Sequence, residues 1–119
     1  MEIPQKFTTE EEKLKYVYRT EELLRLEHNE NGAKFRDGQI TEQEWKEYLK
    51  DFEGRYTNVL HERATLRDSL GLNLVSAQHA LELIKTEAKA DSKYDVDVDI
   101  KTIQPLKVEL AEKANVIPI

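Results

Sequence analysis

Apolar residues recur every seventh position through residues 41–70, at Trp45, Phe52, Val59 and Leu66. Leu49, Tyr56, Arg63 and Leu70 form a second row beside them. Both rows fall on one stripe of an α-helix, with Glu, Lys, Asp and Arg around the remainder. The pattern predicts one long amphipathic helix, on which the rest of the chain packs or from whose ends it hangs.

An earlier stretch carries Leu14, Val17, Tyr18, Leu24, His28 and Phe35 along one side, widened by Leu23 and Leu26. Thr8 with Glu11, or Thr9 with Glu12, is a capping-box pair that opens this helix, and the Glu run suits the positive end of its dipole. Pro4 disfavours helix before it, so residues 1–8 read as an extended lead-in. Phe7 is placed to staple onto Leu14 or the stem of Lys13. Asn31-Gly32 is a turn signal, but Phe35 lies in phase with the seam beyond it. The favoured reading runs the helix through Gly32 to about Arg36, at a cost of roughly 1 kcal/mol for the glycine.

The segment Phe35-Arg36-Asp37-Gly38-Gln39-Ile40-Thr41-Glu42-Gln43-Glu44-Trp45 is the most informative local pattern. Gly38 can take the left-handed conformation that ends a helix. Thr41 and Glu44 have the spacing of a capping box, and Ile40 is placed to staple onto Trp45. So short a connection between two long helices predicts an antiparallel hairpin. At the far end, Gly71 fits the position after a last turn, with Leu72 folding back on Leu66. A third helix over about residues 74–90 then has Leu74, Ala77, Leu81, Ile84 and Ala88 in register. The competing reading is one unbroken helix from residue 41 to about residue 90; the break is preferred.

After Ala90 the period changes. Tyr94, Val96, Val98 and Ile100 alternate with Asp95, Asp97 and Asp99, a strand pattern, and Leu106, Val108 and Leu110 alternate again. The chain runs on to Ile117-Pro118-Ile119. The fold class expected is therefore mainly α. A long antiparallel helical hairpin with a shorter third helix spans residues 9–90, and an extended or β C-terminal arm spans residues 91–119.

Composition narrows the function classes. The net charge is −6 and no basic block is set apart, which argues against direct binding of nucleic acid. There are no cysteines, which removes disulfides, zinc–thiolate sites and thiol nucleophiles. Residues 1–13 lack the apolar core of a signal peptide, and no apolar run approaches the ~20 residues that span a bilayer. Neither a leader nor a membrane anchor is expected.

The chemistry-bearing patterns are incomplete. Counted from Asp95 as a calcium-binding loop, the sixth and twelfth positions are Ile100 and Leu106 where Gly and Glu are needed, so a solvated strand face is the better reading. His61-Glu62 starts like a zinc-protease helix, but Thr65 stands where the second His belongs. Ser69, Ser76 and Ser92 lie in no nucleophile-elbow context, and there is no glycine-rich phosphate loop. Arg63, on the apolar row, either snorkels from the edge or pairs with Glu21 or Glu22 across the hairpin. No catalytic, cofactor-binding or metal-binding residue is assigned, no cofactor is expected, and the chain reads as a non-enzyme.

The segment from Phe35 to Trp45 resembles small helical-hairpin proteins encoded among the structural genes of tailed bacteriophages. The acidic helical body with an apolar tail is similar to accessory virion proteins that dock on capsid, connector or tail surfaces. The resemblance implies a structural or assembly protein acting through protein–protein contacts, with itself or other virion proteins as partners, in the virion or the cytoplasm of the producing cell. The alternative is a soluble helical adaptor or assembly chaperone. Interface positions expected on this reading are Trp45, Tyr48, Phe52 and Tyr56 on the stripe. On the arm they are Tyr94, Val96, Val98, Ile100, Leu106, Val108, Leu110, Ile117 and Ile119.

Overall fold

A computed structural model describes residues 1–95. Helix α1 spans Glu10–Arg36, α2 spans Glu42–Ser69 and α3 spans Gln78–Ala90. Short 3₁₀ helices at Val75–Ala77 and Ser92–Asp95 precede and follow α3. The described residues contain no strand. The architecture is a long antiparallel hairpin with a shorter third helix. The positions expected on the arm from Val96 to Ile119 lie outside the described residues.

Local chemistry sets the boundaries. Thr9 caps α1, its hydroxyl accepting from the Glu12 backbone N–H at 3.1 Å. At α2 the capping box is complete: Thr41 Oγ1 accepts from Glu44 N–H at 3.0 Å, and Glu44 Oε1 accepts from Thr41 N–H at 3.0 Å. Both hairpin helices end in left-handed glycines, Gly38 at φ 75° and Gly71 at φ 69°. Each glycine lets the next residue close a six-residue ring back onto the helix. Gln39 N–H donates to Lys34 C=O at 2.8 Å, and Leu72 N–H to Arg67 C=O at 2.9 Å. The break at Gly71 is therefore real, and Leu72 joins Leu66 in the core as its position after the cap predicts. Helix α3 starts later than the pattern suggested. Leu74 stands out to solvent, and the chain makes one 3₁₀ turn before the α-helix begins.

The core changes which element is central. The stripe of α2 was expected to organise the chain, yet α1 is the helix against which α2, α3 and the final 3₁₀ turn all pack. Leu14, Val17, Tyr18 and Leu24 of α1 meet Phe52, Val59 and Leu66 of α2 in the main core. Leu72, and Leu81 and Ala88 of α3, complete it. Burying each of these aliphatic side chains contributes about 2 kcal/mol, so the core outweighs the surface ion pairs, at under roughly 1 kcal/mol each. Leu26 does not widen the seam; it is half exposed.

A second, satellite cluster borders the main core, with Met1 and Ile3 packed against both. It joins Phe7 of the lead-in, Tyr16 of α1 and Tyr94 of the last turn. Phe7 thus turns to Tyr16, at 5.4 Å between ring centroids, and to Tyr94 at 5.3 Å. It does not staple onto Leu14. Residues 93–95 also depart from the strand pattern. The Tyr94 ring is drawn inward, and Asp95 is held by Arg19 of α1, Nε to Oδ1 at 2.5 Å and Nη2 to Oδ2 at 3.0 Å. The helical body therefore extends to Asp95.

Two glycines respond oppositely to alanine. Gly32 lies inside α1, where an added Cβ would meet Trp45 Cη2 at 3.7 Å, an ordinary contact. Gly32→Ala is expected to stabilise the protein by about 0.5–1 kcal/mol through helix propensity. Gly71→Ala, forced into the left-handed region, is expected to destabilise it by about 1 kcal/mol. Urea unfolding followed by circular dichroism measures both signs.

Candidate interaction surface

The stripe of α2 was the first candidate surface, and the fold turns most of it inward. His28 of α1 is buried, and its ring stacks 4.5 Å from that of Phe52, with Trp45 at 5.7 Å and Tyr48 at 6.0 Å. The ladder runs on from Phe35 to Trp45 at 5.4 Å, Trp45 to Tyr48 at 5.5 Å, Tyr48 to Phe52 at 5.8 Å and Phe52 to Tyr56 at 5.5 Å. Helical spacing on α2 brings these rings into one row, and α1 closes it with His28 and Phe35. Phe52 is fully enclosed; Trp45, Tyr48 and Tyr56 are half-buried. The ladder holds the hairpin together. Tyr94, placed on the arm by its pattern, is not part of the ladder; its side chain is buried with Phe7 and Tyr16.

Charged groups pin the same interface. Arg63 Nη1 donates to Glu21 Oε1 at 2.7 Å, which is the cross-hairpin pairing its place on the apolar row suggested. Arg55 is the deeper cation, only 3% exposed. Its Nη1 donates to Glu27 Oε2 at 3.0 Å and its Nε to Asp51 Oδ2 at 2.9 Å. A guanidinium so enclosed is tolerable because carboxylates on both helices face it. Pattern reading missed Arg55. Its signal was an Arg four residues after an Asp on α2, indistinguishable from ordinary surface pairing. Around this pair lies an open depression of about 500 Å³ lined by Glu27, Glu30, Asn31, Lys34, Tyr48, Asp51 and Arg55.

Most of the apolar surface left open among the described residues is elsewhere, at the corner from the end of α2 into α3. Leu74 is 63% exposed, Val75 89% and, two turns along α3, Leu83 51%. Leu70, at the end of α2, borders them. The Leu70-Gly71-Leu72-Asn73-Leu74-Val75 run held the signal. An apolar residue at nearly every position of a short connection cannot all face one core, and only Leu72 does. Among the described residues no three His, Asp or Glu side chains gather as a metal site would require, and His61 and His79 lie on the surface. No helix among them is long and apolar enough to cross a membrane.

Compared with known proteins, the chain matches no family model, no curated protein and no solved structure.

Burial of the aromatic rows has a titration consequence. Loss of solvent pushes the phenols of Tyr18, Tyr48, Tyr56 and Tyr94 above their ordinary value. Between about pH 10 and the raised values, the unfolded chain sheds phenolic protons that the folded chain keeps. Their contribution to stability is thus complete below about pH 10 and is lost as pH rises through the folded values. In an alkaline titration, phenolate absorbance and loss of helical ellipticity are expected to rise together above pH ~10. Full ionisation near pH 10 with the helices intact would contradict this packing.

Proposed function

We propose that the chain is a non-enzymatic structural or assembly protein that works through protein–protein contacts, and that its most specific form is a component of a phage-like virion. The observation that carries this reading is the apolar corner. Leu74, Val75 and Leu83 stand open to solvent, whereas among the described residues most other large apolar side chains are enclosed. Isolated surface leucines are ordinary, but several exposed apolar side chains over one turn and the helix that follows it are typical of docking surfaces. Rigidity supports the same reading. Leu66, Leu72 and Leu81, on either side of the corner, are buried in the main core, so the corner is presented with little ordering cost on association.

The sequence beyond Asp95 adds a second element. Val96, Val98, Ile100, Leu106, Val108, Leu110, Ile117 and Ile119 supply further apolar positions for a partner. They follow a turn that Arg19 ties to the helical body. An anchor attached at a fixed point on a stiff body suits a protein that occupies one place in a repeating assembly.

The test is solution mass by light scattering behind a sizing column. It compares the full chain, a chain ending at Asp95, and the full chain with Val75→Glu and Leu83→Glu. Self-association of the full chain that the double substitution abolishes is the expected result. A full chain that remains monomeric at all concentrations would contradict self-assembly and favour an adaptor that needs a different protein. Loss of association only on truncation would move the contact from the corner to the residues after Asp95.

A further inference from the structure

The satellite cluster ties together two segments that are far apart in sequence. Phe7 comes from the lead-in and Tyr94 from the last described turn, and neither belongs to a long helix. Both meet in one cluster with Tyr16, and Met1 and Ile3 of the lead-in pack against this cluster and the main core alike. Each segment supplies what the other needs. The Phe7 ring covers Tyr94, which is 1% exposed, and Tyr94 covers Phe7, which is 7% exposed. The Tyr94 hydroxyl donates to Glu12 Oε2 at 3.1 Å, so this carboxylate serves the turn and not the cap of its own helix. Lys6 lies over the Phe7 ring at 5.2 Å and Lys93 over the Tyr94 ring at 5.0 Å.

We infer that this cluster is a latch: the lead-in and the turn at residues 92–95 open and close on α1 as one unit, separately from the main core. The Phe7 ring meets both Tyr94 and Tyr16 in tilted contacts, so removing Phe7 or Tyr94 leaves the other with an open flank. Backbone ties in each segment are few. The lead-in has Phe7 N–H on Pro4 C=O at 3.1 Å, and the turn has Tyr94 N–H on Asp91 C=O at 3.4 Å. These backbone bonds are local to each segment. Beyond the rings and the Met1 and Ile3 side chains, the ties to the helical body are polar, the Met1 amino group on Asn58 Oδ1 at 3.4 Å and Asp95 on Arg19, and they part with the latch. Small cooperative units of this kind open below the global unfolding free energy. A partner that takes either segment in its released form therefore releases both, and with them the attachment point of everything after Asp95. The inference stands apart from the assembly reading, because it concerns how the chain opens and not what it binds.

Two trypsin sites test it in the full chain. The Lys6–Phe7 bond reports on the lead-in and the Lys93–Tyr94 bond on the turn, while Arg63–Ala64 within α2 reports on the main core. Each substitution is read at the distant bond, whose own sequence is unchanged. Tyr94→Ala is expected to speed cleavage at Lys6–Phe7, and Phe7→Ala cleavage at Lys93–Tyr94, by about tenfold, with Arg63–Ala64 unaffected. Tyr94→Phe, which keeps the ring and loses the bond to Glu12, should give a smaller increase. Faster cleavage only at the segment that carries the substitution would overturn the coupling. An equal rise at Arg63–Ala64, or loss of helical ellipticity in both alanine variants, would show that the cluster belongs to the global fold, and would overturn the latch as well.

Discussion

Tyr16, Val17 and Tyr18 are consecutive on a helix, point in directions about 100° apart, and are all buried. That single constraint organises the molecule. A helix lying on one partner buries one stripe; the first half of α1 is enclosed on several sides at once. Val17 enters the core between the helices. Tyr18 enters it as well, near Arg63 and Arg67 of α2. Tyr16 turns the other way, to Phe7 and Tyr94. Thr20 is enclosed too, its hydroxyl satisfied by the Tyr16 carbonyl at 2.9 Å. Because α1 is surrounded, α2, α3 and both short end segments share one support without having to pack extensively on one another.

The distal half of the hairpin is built differently. Helix α3 has only 13 residues, and its ion pairs to α1, Lys15–Glu87 and Lys89–Glu22, lie in the first half of α1. Beyond that level, α1 and α2 hold each other through stacked rings and the Arg55 carboxylate pair. Aromatic side chains suit such a place, since each covers much area with few rotatable bonds. The result is a stiff two-helix tip on a three-helix base, with most of the open apolar surface of the described residues, Leu26 excepted, between the end of α2 and α3.

Much of this was legible in the chain. Caps and terminators read well because they are local. Thr41 with Glu44, Gly38 and Gly71 each act within a few residues, so the sequence around them contains the whole cause. The seam of α1 from Leu14 to His28 and that of α2 from Trp45 to Leu66 were legible for a similar reason, since helical period alone sets them. The choice of α2 as the organising helix misled, because a clean stripe marks a helix with one partner. The central helix has a less regular pattern, and Tyr16-Val17-Tyr18 was its sign. Tyr94 was assigned to a strand since residues 93–100 alternate. Tertiary contacts with Phe7 and Glu12, more than 80 residues away, pull its end of that run into a 3₁₀ turn. The exposed corner was obscured because Leu74 fits the α3 seam in register, and register cannot say that one 3₁₀ turn intervenes.

The central claim is that α1, enclosed on several sides, is the support for everything else. Amide hydrogen exchange followed residue by residue in the full chain tests it most directly. The account predicts that the slowest amides lie in residues 16–24 of α1, exchanging only by global unfolding, with α2, α3 and the end segments opening at lower free energy. Slowest exchange in α2, with residues 16–24 of α1 opening before it, would contradict the account and return the organising role to the stripe of α2.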